Sequence, residues 1–158
     1  MNRNEALLGK LANWRPPEGR QSLTIADNAG GWATTLTVDR ADQLGCLVWE
    51  MSVRKGAPAA LPLDAWAQRV AERVTGLLES LKVVEIDANR GEALLRSESP
   101  VAQGGQVTYY EVMLSRAGSA TLRRYTAPRT GSGNREQTAF ALTHEAIAKL
   151  AFDLTDVQ

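Results

Sequence analysis

The sequence predicts a single α+β domain, with helices packed on a mainly antiparallel sheet in the order α-β-β-β-α-β-β-β-β-α. Apolar residues recur at helical spacing near both ends and in the middle of the chain, which predicts three amphipathic helices. Between them lie short runs in which apolar and polar residues alternate, joined by Gly- and Asn-containing turns, as in antiparallel strands. A length of 158 residues with 44% hydrophobic residues suits one domain with its own core, residues 1–158.

Residues 1–19 are predicted to form an N-terminal helix followed by a Pro-rich linker. The helix covers Asn4–Trp14. One helical face collects its apolar side chains, Leu7, Leu8, Leu11 and Trp14. Pro16 and Pro17 end the helix, because proline cannot continue its hydrogen-bond ladder.

Three strand-like runs follow the linker: "SLTIAD", "WATTLTVD" and "CLVWEMSVR". In the second run, Trp32 and Val38 share a face because side chains alternate along a strand. In the third run, the same alternation places Trp49, Met51 and Val53 on one face. "DNAGG" is predicted to be the hairpin connection between the first two runs. The pattern is typical of half-buried antiparallel strands.

The segment from Leu63 to Leu81 is predicted to be a long helix of about five turns. Its apolar residues keep one stripe at helical spacing: Leu63, Trp66, Ala67, Val70, Val74, Leu77, Leu78 and Leu81. The charged side chains lie outside this stripe, as expected for a helix packed across a sheet or another helix. Gly76 in the helix interior costs about 1 kcal/mol relative to alanine, and close packing at this position would explain it.

The second half of the chain predicts two hairpins. "VVEID" and "EALLRS" pair around "ANRG", and the following "ESPVAQGGQ" is predicted to be flexible. "VTYYEVMLS" and "SATLRRYT" form the strongest pair, joined by the three residues "RAG" with Gly118 in the left-handed region. The resulting cross-strand pairs are Leu114 with Ala120, Val112 with Leu122, and Glu111 with Arg123. A two-residue turn would shift the register by one and pair Glu111 with Arg124.

The two faces of this second hairpin differ in character. One face is largely apolar and carries Tyr110, Val112, Leu114, Ala120 and Leu122. The opposite face carries Tyr109, Glu111, Met113, Arg123 and Tyr125, because side chains alternate along a strand. Between Val112 and Asn134 there is no acidic residue, which leaves either a solvated hairpin tip and loop or a local basic patch for an acidic partner. Aromatic residues and arginine are enriched at protein interfaces. The predicted binding residues are therefore Tyr109, Glu111, Met113, Arg123, Tyr125, Arg124 and Arg129.

The C-terminal part of the chain is predicted to be a flexible loop at residues 127–138, followed by a final helix from Thr143 to Leu154. Thr143 is a good N-cap, because its hydroxyl can accept a hydrogen bond from a first-turn amide. Glu145 then lies in the first turn, where the helix dipole favours a negative charge.

The sequence predicts no catalytic residue, no cofactor and no metal site. His144 is the only histidine, and Ala148 stands where a zinc-protease motif needs its second histidine. Cys46 is the only cysteine and lies in an apolar run, so we interpret it as a small buried hydrophobic residue. With a single imidazole in the chain, acid–base catalysis is disfavoured. The sequence therefore favours a protein that is not an enzyme.

Charge and hydropathy disfavour several classes of partner. The 18 Lys and Arg balance the 18 Asp and Glu, whereas nucleic-acid-binding proteins usually carry a basic excess. Tyr109 and Tyr110 are adjacent in a strand, so they point to opposite faces and cannot form one base-stacking platform. The N-terminal residues lack the apolar core of a signal peptide, and no run reaches the roughly 20 apolar residues of a membrane span. We expect a cytoplasmic protein without nucleic-acid or membrane partners.

The element order resembles that of the type III secretion chaperone-like fold. The segments "YYEVMLS" to "GSATLRRYTA" and "FALTHEAIAKLAFDL" are also similar to the C-terminal half of uncharacterised bacterial proteins. The chaperone resemblance implies binding through surfaces. Our first hypothesis is therefore a homodimeric, chaperone- or adaptor-like domain that binds a protein or peptide segment. The alternative is a helix-grip or TBP-like domain that holds a small apolar ligand in a cavity between the long helix and the sheet.

Overall fold

A computed structural model describes residues 3–27, 31–130 and 133–156. Within these ranges the helices are α1 Arg3–Asn13, α2 Leu63–Arg73 and α3 His144–Thr155. The strands are β1 Gln21–Asp27, β2 Trp32–Ala41, β3 Gly45–Lys55, β4 Leu81–Asp87, β5 Glu92–Ser97, β6 Val101–Gln103, β7 Gln106–Ser115, β8 Ser119–Pro128, β9 Glu136–Thr138 and β10 Phe140–Thr143. The predicted α+β class and element order are confirmed, and the short strands β6, β9 and β10 add to them. The predicted "DNAGG" connection falls largely outside the described residues.

All these strands belong to one antiparallel sheet, in the spatial order β1-β2-β3-β8-β7-β5-β4. The chain leaves the centre of the sheet after β3, crosses through α2 to β4 at one edge, and returns through β5 and β7 to β8. Strands β3 and β8 therefore become neighbours although they are far apart in sequence. The short strands extend this sheet, since β6 pairs with β7, β9 with β8 and β10 with β3.

Strands β3 and β8 diverge, and β9 and β10 fill the fork between them. The C-terminal half of β3 pairs with β8, whereas its N-terminal half pairs with β10. The C-terminal half of β8 pairs with β9, and Ala139 alone separates β9 from β10. The prediction of a loop at residues 127–138 is corrected at both ends, because Ala127 and Pro128 belong to β8 and residues 136–138 form β9. Residues 131–132 lie outside the described ranges.

A β-bulge at the fork changes which residues of β3 face the core. Thr37 of β2 pairs with Glu50, and the next residue of β2 pairs with Val48, so Trp49 is left without a cross-strand partner. Such an extra residue switches the alternation along a strand. Val48 and Met51 are both buried, and the prediction that Trp49 shares the face of Met51 is wrong. The Gln137 side chain donates a hydrogen bond of 2.8 Å to the Trp49 carbonyl, which ties the bulge to β9.

The three helices pack on one face of the sheet, called here the inner face, around a single hydrophobic core. Trp66 and Val70 of α2 are fully buried there. The Trp66 indole N–H donates a 3.0 Å hydrogen bond to the Leu154 carbonyl, which joins α2 to α3. Thr143 caps α3 as predicted, since its hydroxyl accepts a 3.1 Å hydrogen bond from the Ala146 amide. The opposite face of the sheet, the outer face, carries no helix within the described residues.

The predicted long helix is shorter than expected, because α2 ends at Arg73. Val74 has an extended conformation with ψ of 103°, and the chain runs without helical structure to β4. Valine, threonine and glycine are poor helix formers, and Val74 to Gly76 places all three in succession. Val74 and Leu77 remain buried, so their spacing reflects burial in a segment without helical structure. A Cβ at Gly76 would meet its nearest neighbour at an ordinary 3.7 Å, so close packing does not explain this glycine.

The register predicted for the β7–β8 hairpin is confirmed. Leu114 pairs with Ala120, Val112 with Leu122 and Glu111 with Arg123. Gly118 has a φ of 103° in the connecting turn, as the three-residue loop requires. The segment predicted to be flexible before β7 instead contains β6, which turns into β7 through Gly104 and Gly105, both at positive φ.

Candidate functional site

The outer face brings five of the seven predicted binding residues together. Their shared orientation follows from the β7–β8 register and from the two-residue period of a strand. These residues are Tyr109, Glu111, Met113, Arg123 and Tyr125. Strand β5 adds Arg96 opposite Glu111, and Arg135, directly before β9, also reaches Glu111. We call Arg96, Tyr109, Glu111, Arg123, Tyr125 and Arg135 the outer cluster.

Glu111 is the electrostatic centre of the outer cluster. It is 7% exposed, and its carboxylate accepts hydrogen bonds from Arg135 at 2.5 Å and 3.4 Å and from Arg96 at 3.0 Å. The hydrogen bond to Glu111 raises the pKa of Arg135, while burial acts in the opposite direction. A buried carboxylate needs such partners, because an unpaired buried charge is costly. Both guanidinium groups are thereby held in fixed positions.

Each of these arginines also lies over an aromatic ring. The Arg135 guanidinium carbon is 3.8 Å from the centre of the Tyr125 ring, and that of Arg96 is 5.4 Å from the centre of the Tyr109 ring. The two tyrosine rings are 6.1 Å apart. Arg135 also donates a 3.3 Å hydrogen bond to the Tyr109 hydroxyl. Exposed cation–π contacts contribute about 0.5–1 kcal/mol each, so the cluster is an ordered array of charges and rings.

The stacking continues toward the fork of the sheet. Arg123 pairs with Glu50 of β3 at 2.6 Å. Beyond Glu50, the Arg20 guanidinium carbon lies 3.7 Å from the centre of the Trp49 ring, and Arg20 also pairs with Asp39 at 2.9 Å. The strip of arginine and aromatic side chains therefore crosses from β5 to the bulge of β3.

Two predicted binding residues lie elsewhere. Arg124 is opposite Tyr110, so it faces inward, where it pairs with Glu79 at 3.0 Å and lies 4.1 Å from the centre of the Tyr110 ring. Arg129 is exposed beyond the end of β8, and its backbone amide donates to the Gly105 carbonyl. Arg123 and Arg124, both within the stretch that lacks acidic residues, thus meet the carboxylates of Glu50 and Glu79, and the adjacent Arg135 meets that of Glu111.

Sequence reasoning missed Arg96, Arg20, Trp49 and Glu50 as members of this surface. They come from other parts of the chain, and their spacing carries no signal that places them beside β7 and β8. Arg135 did carry a signal, because it follows the acid-free stretch directly.

A second concave feature lies at the turn between β2 and β3. It is an open groove of about 770 Å³, bounded by the Pro16–Gly19 linker, the end of β2 and strand β10. Asp42 lies on its rim, where hydrogen bonds from the Leu44 and Gly45 amides lower the pKa of its carboxyl group. Cys46 lines its wall.

Cys46 is not poised as a nucleophile. Burial raises the pKa of its thiol to about 11, from an ordinary value of 9.0, and the nearby Asp42 charge acts in the same direction. The reactive thiolate is therefore scarce at neutral pH. Its interpretation as a buried hydrophobic residue agrees with an exposure of 5%.

The raised thiol pKa predicts a loss of stability in alkaline solution. Below pH 9.0 folded and unfolded chains both keep the proton, whereas between 9.0 and about 11 the unfolded chain loses it first. The free energy of unfolding should therefore fall as the pH rises through this interval. Urea unfolding of the wild type and Cys46→Ala at several pH values measures it. An equal fall in Cys46→Ala would assign the effect to other groups, such as Tyr110, whose pKa burial also raises.

His144 is buried at the first turn of α3. The Nε2 atom of His144 has no hydrogen-bond partner among the described residues. His144 lies near Asp42, and a positive charge on the imidazole would lower the pKa of the Asp42 carboxyl group. In the described part of the chain, no group of three or more His, Cys, Asp and Glu side chains is arranged to hold a metal ion. The histidine thus lies at a helix start and outside the outer cluster.

The described helices are all too short or too polar to cross a lipid bilayer. Comparison with protein-family models, with curated proteins and with solved structures finds no match to this chain.

Proposed function

We propose that this protein is a non-enzymatic, cytoplasmic binding domain that holds a segment of a partner protein on its outer face. The observation that carries the proposal is the outer cluster, in which Arg96 and Arg135 lie over tyrosine rings and share the Glu111 carboxylate. The resemblance in element order to secretion chaperone-like proteins supports a chaperone- or adaptor-like role.

The cluster has the chemistry of an interface. Arginine and tyrosine dominate binding hot spots, because each offers a large contact area and directional hydrogen bonds. Glu111 and the two tyrosine rings already order the guanidinium groups, so binding would lose less side-chain entropy than with free arginines. A guanidinium has five N–H donors, and part of each side chain remains in contact with solvent. The surface therefore suits an extended segment that presents carboxylates beside an apolar or aromatic side chain.

The alternative of a small apolar ligand between helix and sheet receives less support. It depended on a long helix, and α2 spans only Leu63–Arg73. Trp66 and Val70 of α2 belong to the same core cluster as Leu95 and Leu114 of the sheet, and all four side chains are fully buried. Side chains of the protein thus fill this space.

The proposal is tested with the double variant Tyr109→Ala/Arg123→Ala. Both side chains lie on the outer face and are partly exposed. Truncating a hot-spot residue costs about 2 kcal/mol or more, roughly 30-fold in affinity. We expect the variant to lose most of the protein that the wild type captures from a lysate of its own cells. Calorimetry with that purified partner should show a dissociation constant at least roughly 30-fold higher.

The matched control is Thr24→Ala/Thr35→Ala, on the polar part of the outer face. These hydroxyls contact each other at 3.0 Å across β1 and β2. The control should capture the partner as the wild type does. Equal capture by the Tyr109→Ala/Arg123→Ala variant, with its fold intact by circular dichroism, would contradict the proposal.

A further inference from the structure

Strand β4 ends the sheet and leaves one of its edges open. It pairs with β5 on one side, and no strand of the described residues lies on the other. Two apolar side chains of β4 are unusually exposed, Val84 at 45% and Ile86 at 43%. An open edge with apolar side chains is a template for pairing with another strand.

Apolar surface continues beside this edge. A groove of about 470 Å³ lies between the end of β4 and the segment that precedes α2. Ile86 forms one wall, and Leu61 and Pro62 belong to the other. A strand added to β4 would therefore find an apolar neighbour for its side chains.

A β-bulge determines which β4 side chains share a face. Val83 pairs with Leu95 and Glu85 with Leu94, so Val84 is the extra residue. In a regular strand, residues three apart point to opposite faces. Across this bulge, Lys82 and Glu85 share the outer face, while Leu81 and Ile86 share the inner face.

This arrangement makes the β4 edge complementary to itself. If two β4 strands pair antiparallel about a two-fold axis, Lys82 can lie opposite Glu85 of the second copy. The symmetry then creates the same ion pair twice and also places Leu81 opposite Ile86 twice. In the Lys82–Glu85 pairs and in the Leu81–Ile86 pairs, the two opposed side chains lie on the same face of the sheet because of the bulge. A two-fold dimer requires a surface that complements itself, and opposite charges directly across a ladder favour the register.

We propose that two copies of this chain dimerise by antiparallel pairing of their β4 edges, with Lys82 of each copy opposite Glu85 of the other. The dimer continues the sheet across the two-fold axis and covers Val84 and Ile86. It leaves the outer cluster on β7 and β8 uncovered, so it does not depend on the proposed partner binding.

Charge reversal tests this pairing through light scattering and sedimentation of the purified protein. Lys82→Glu places glutamates opposite each other twice, and Glu85→Lys does the same with lysines. Each variant alone should dimerise at least roughly tenfold more weakly than the wild type, since both attractive pairs become repulsive. Both positions are exposed, and circular dichroism checks that each variant folds.

Mixing the two variants provides the decisive outcome. In a mixed dimer, the glutamate introduced at position 82 of one copy faces the lysine introduced at position 85 of the other. The second pair joins the unchanged Glu85 of the first copy to the unchanged Lys82 of the second. The mixture should therefore regain a dissociation constant within about threefold of the wild type, and native mass spectrometry should identify the heterodimer. Glu18→Lys changes an exposed charge in the linker and should leave the dimer unchanged.

Three results would overturn the dimer. They are a monomeric wild type, wild-type dimerisation in both single variants, and a mixture that stays as weak as its components. Because no partner protein enters these measurements, failure here leaves the proposed partner binding intact, and failure of the capture experiment leaves the dimer intact.

Discussion

Replacing Trp66 with alanine is expected to destabilise the protein by about 3–5 kcal/mol. Trp66 is fully buried, and its ring lies 6.0 Å from that of Trp32 across the core. The substitution leaves a large cavity between α2 and the sheet. It also removes the indole donor of the Leu154 carbonyl, and an unpaired buried carbonyl adds to the cost. Since domains of this size are typically stable by about 5–15 kcal/mol, Trp66→Ala should lie close to the limit of folding.

Urea unfolding followed by far-ultraviolet circular dichroism measures this effect. Trp14→Ala is the matched control, because Trp14 is half-buried at the end of α1 and packs only at the border of the core. It should cost much less than Trp66→Ala. Trp66→Phe should give an intermediate loss, since it keeps an aromatic ring in the core but removes the N–H donor. Equal losses for Trp14→Ala and Trp66→Ala would show that Trp66 does not anchor the core.

The second large effect is expected for Gly118→Ala in the turn between β7 and β8. Gly118 has a φ of 103°, a backbone conformation that residues with a side chain rarely adopt. A Cβ at this position would lie 2.3 Å from the Ala57 carbonyl oxygen. That oxygen belongs to the backbone and cannot move alone. The Gly118 carbonyl also accepts a 2.7 Å hydrogen bond from the Lys55 amide, so the turn cannot shift freely. We expect a loss of at least about 2 kcal/mol from strain and clash together.

Gly104→Ala separates backbone strain from the clash. Gly104 also has a positive φ, 59°, but nothing lies within 4 Å of its Cβ position. It should therefore cost only the conformational penalty of about 1 kcal/mol. Unfolding of both variants in urea gives the difference. If Gly104→Ala costs as much as Gly118→Ala, the contact with Ala57 has no energetic role.

The same turn illustrates what local sequence can determine. A three-residue turn with a glycine at the αL position specifies one hairpin register. The cross-strand pairs predicted from it are all present: Leu114 with Ala120, Val112 with Leu122, and Glu111 with Arg123. The N-cap of α3 is equally local, since Thr143 needs only the amide of Ala146 three residues later. In both places the interacting groups are close in sequence, so the pattern contains the whole interaction.

Hydrophobic spacing was less reliable where burial came from a different geometry. Val74, Leu77 and Leu81 continue the helical period beyond Arg73, yet they are buried in a non-helical connection and at the start of β4. The period shows that these residues are buried, but several backbone paths can bury the same set. Poor helix formers at Val74 to Gly76 decide between those paths.

The features of the β7–β8 hairpin also separate into those that local sequence determines and those that depend on tertiary structure. By itself, the sequence determined that Tyr109, Glu111, Met113, Arg123 and Tyr125 share one face, because alternation along a strand is a local rule. Only the tertiary structure decided that Glu50 meets Arg123, that Arg96 and Arg135 share Glu111, and that Arg124 turns inward to Glu79. Those contacts depend on β3 lying beside β8 and on β5 lying beside β7. Strand order results from burying the whole core at once, and no local pattern in this chain encodes it.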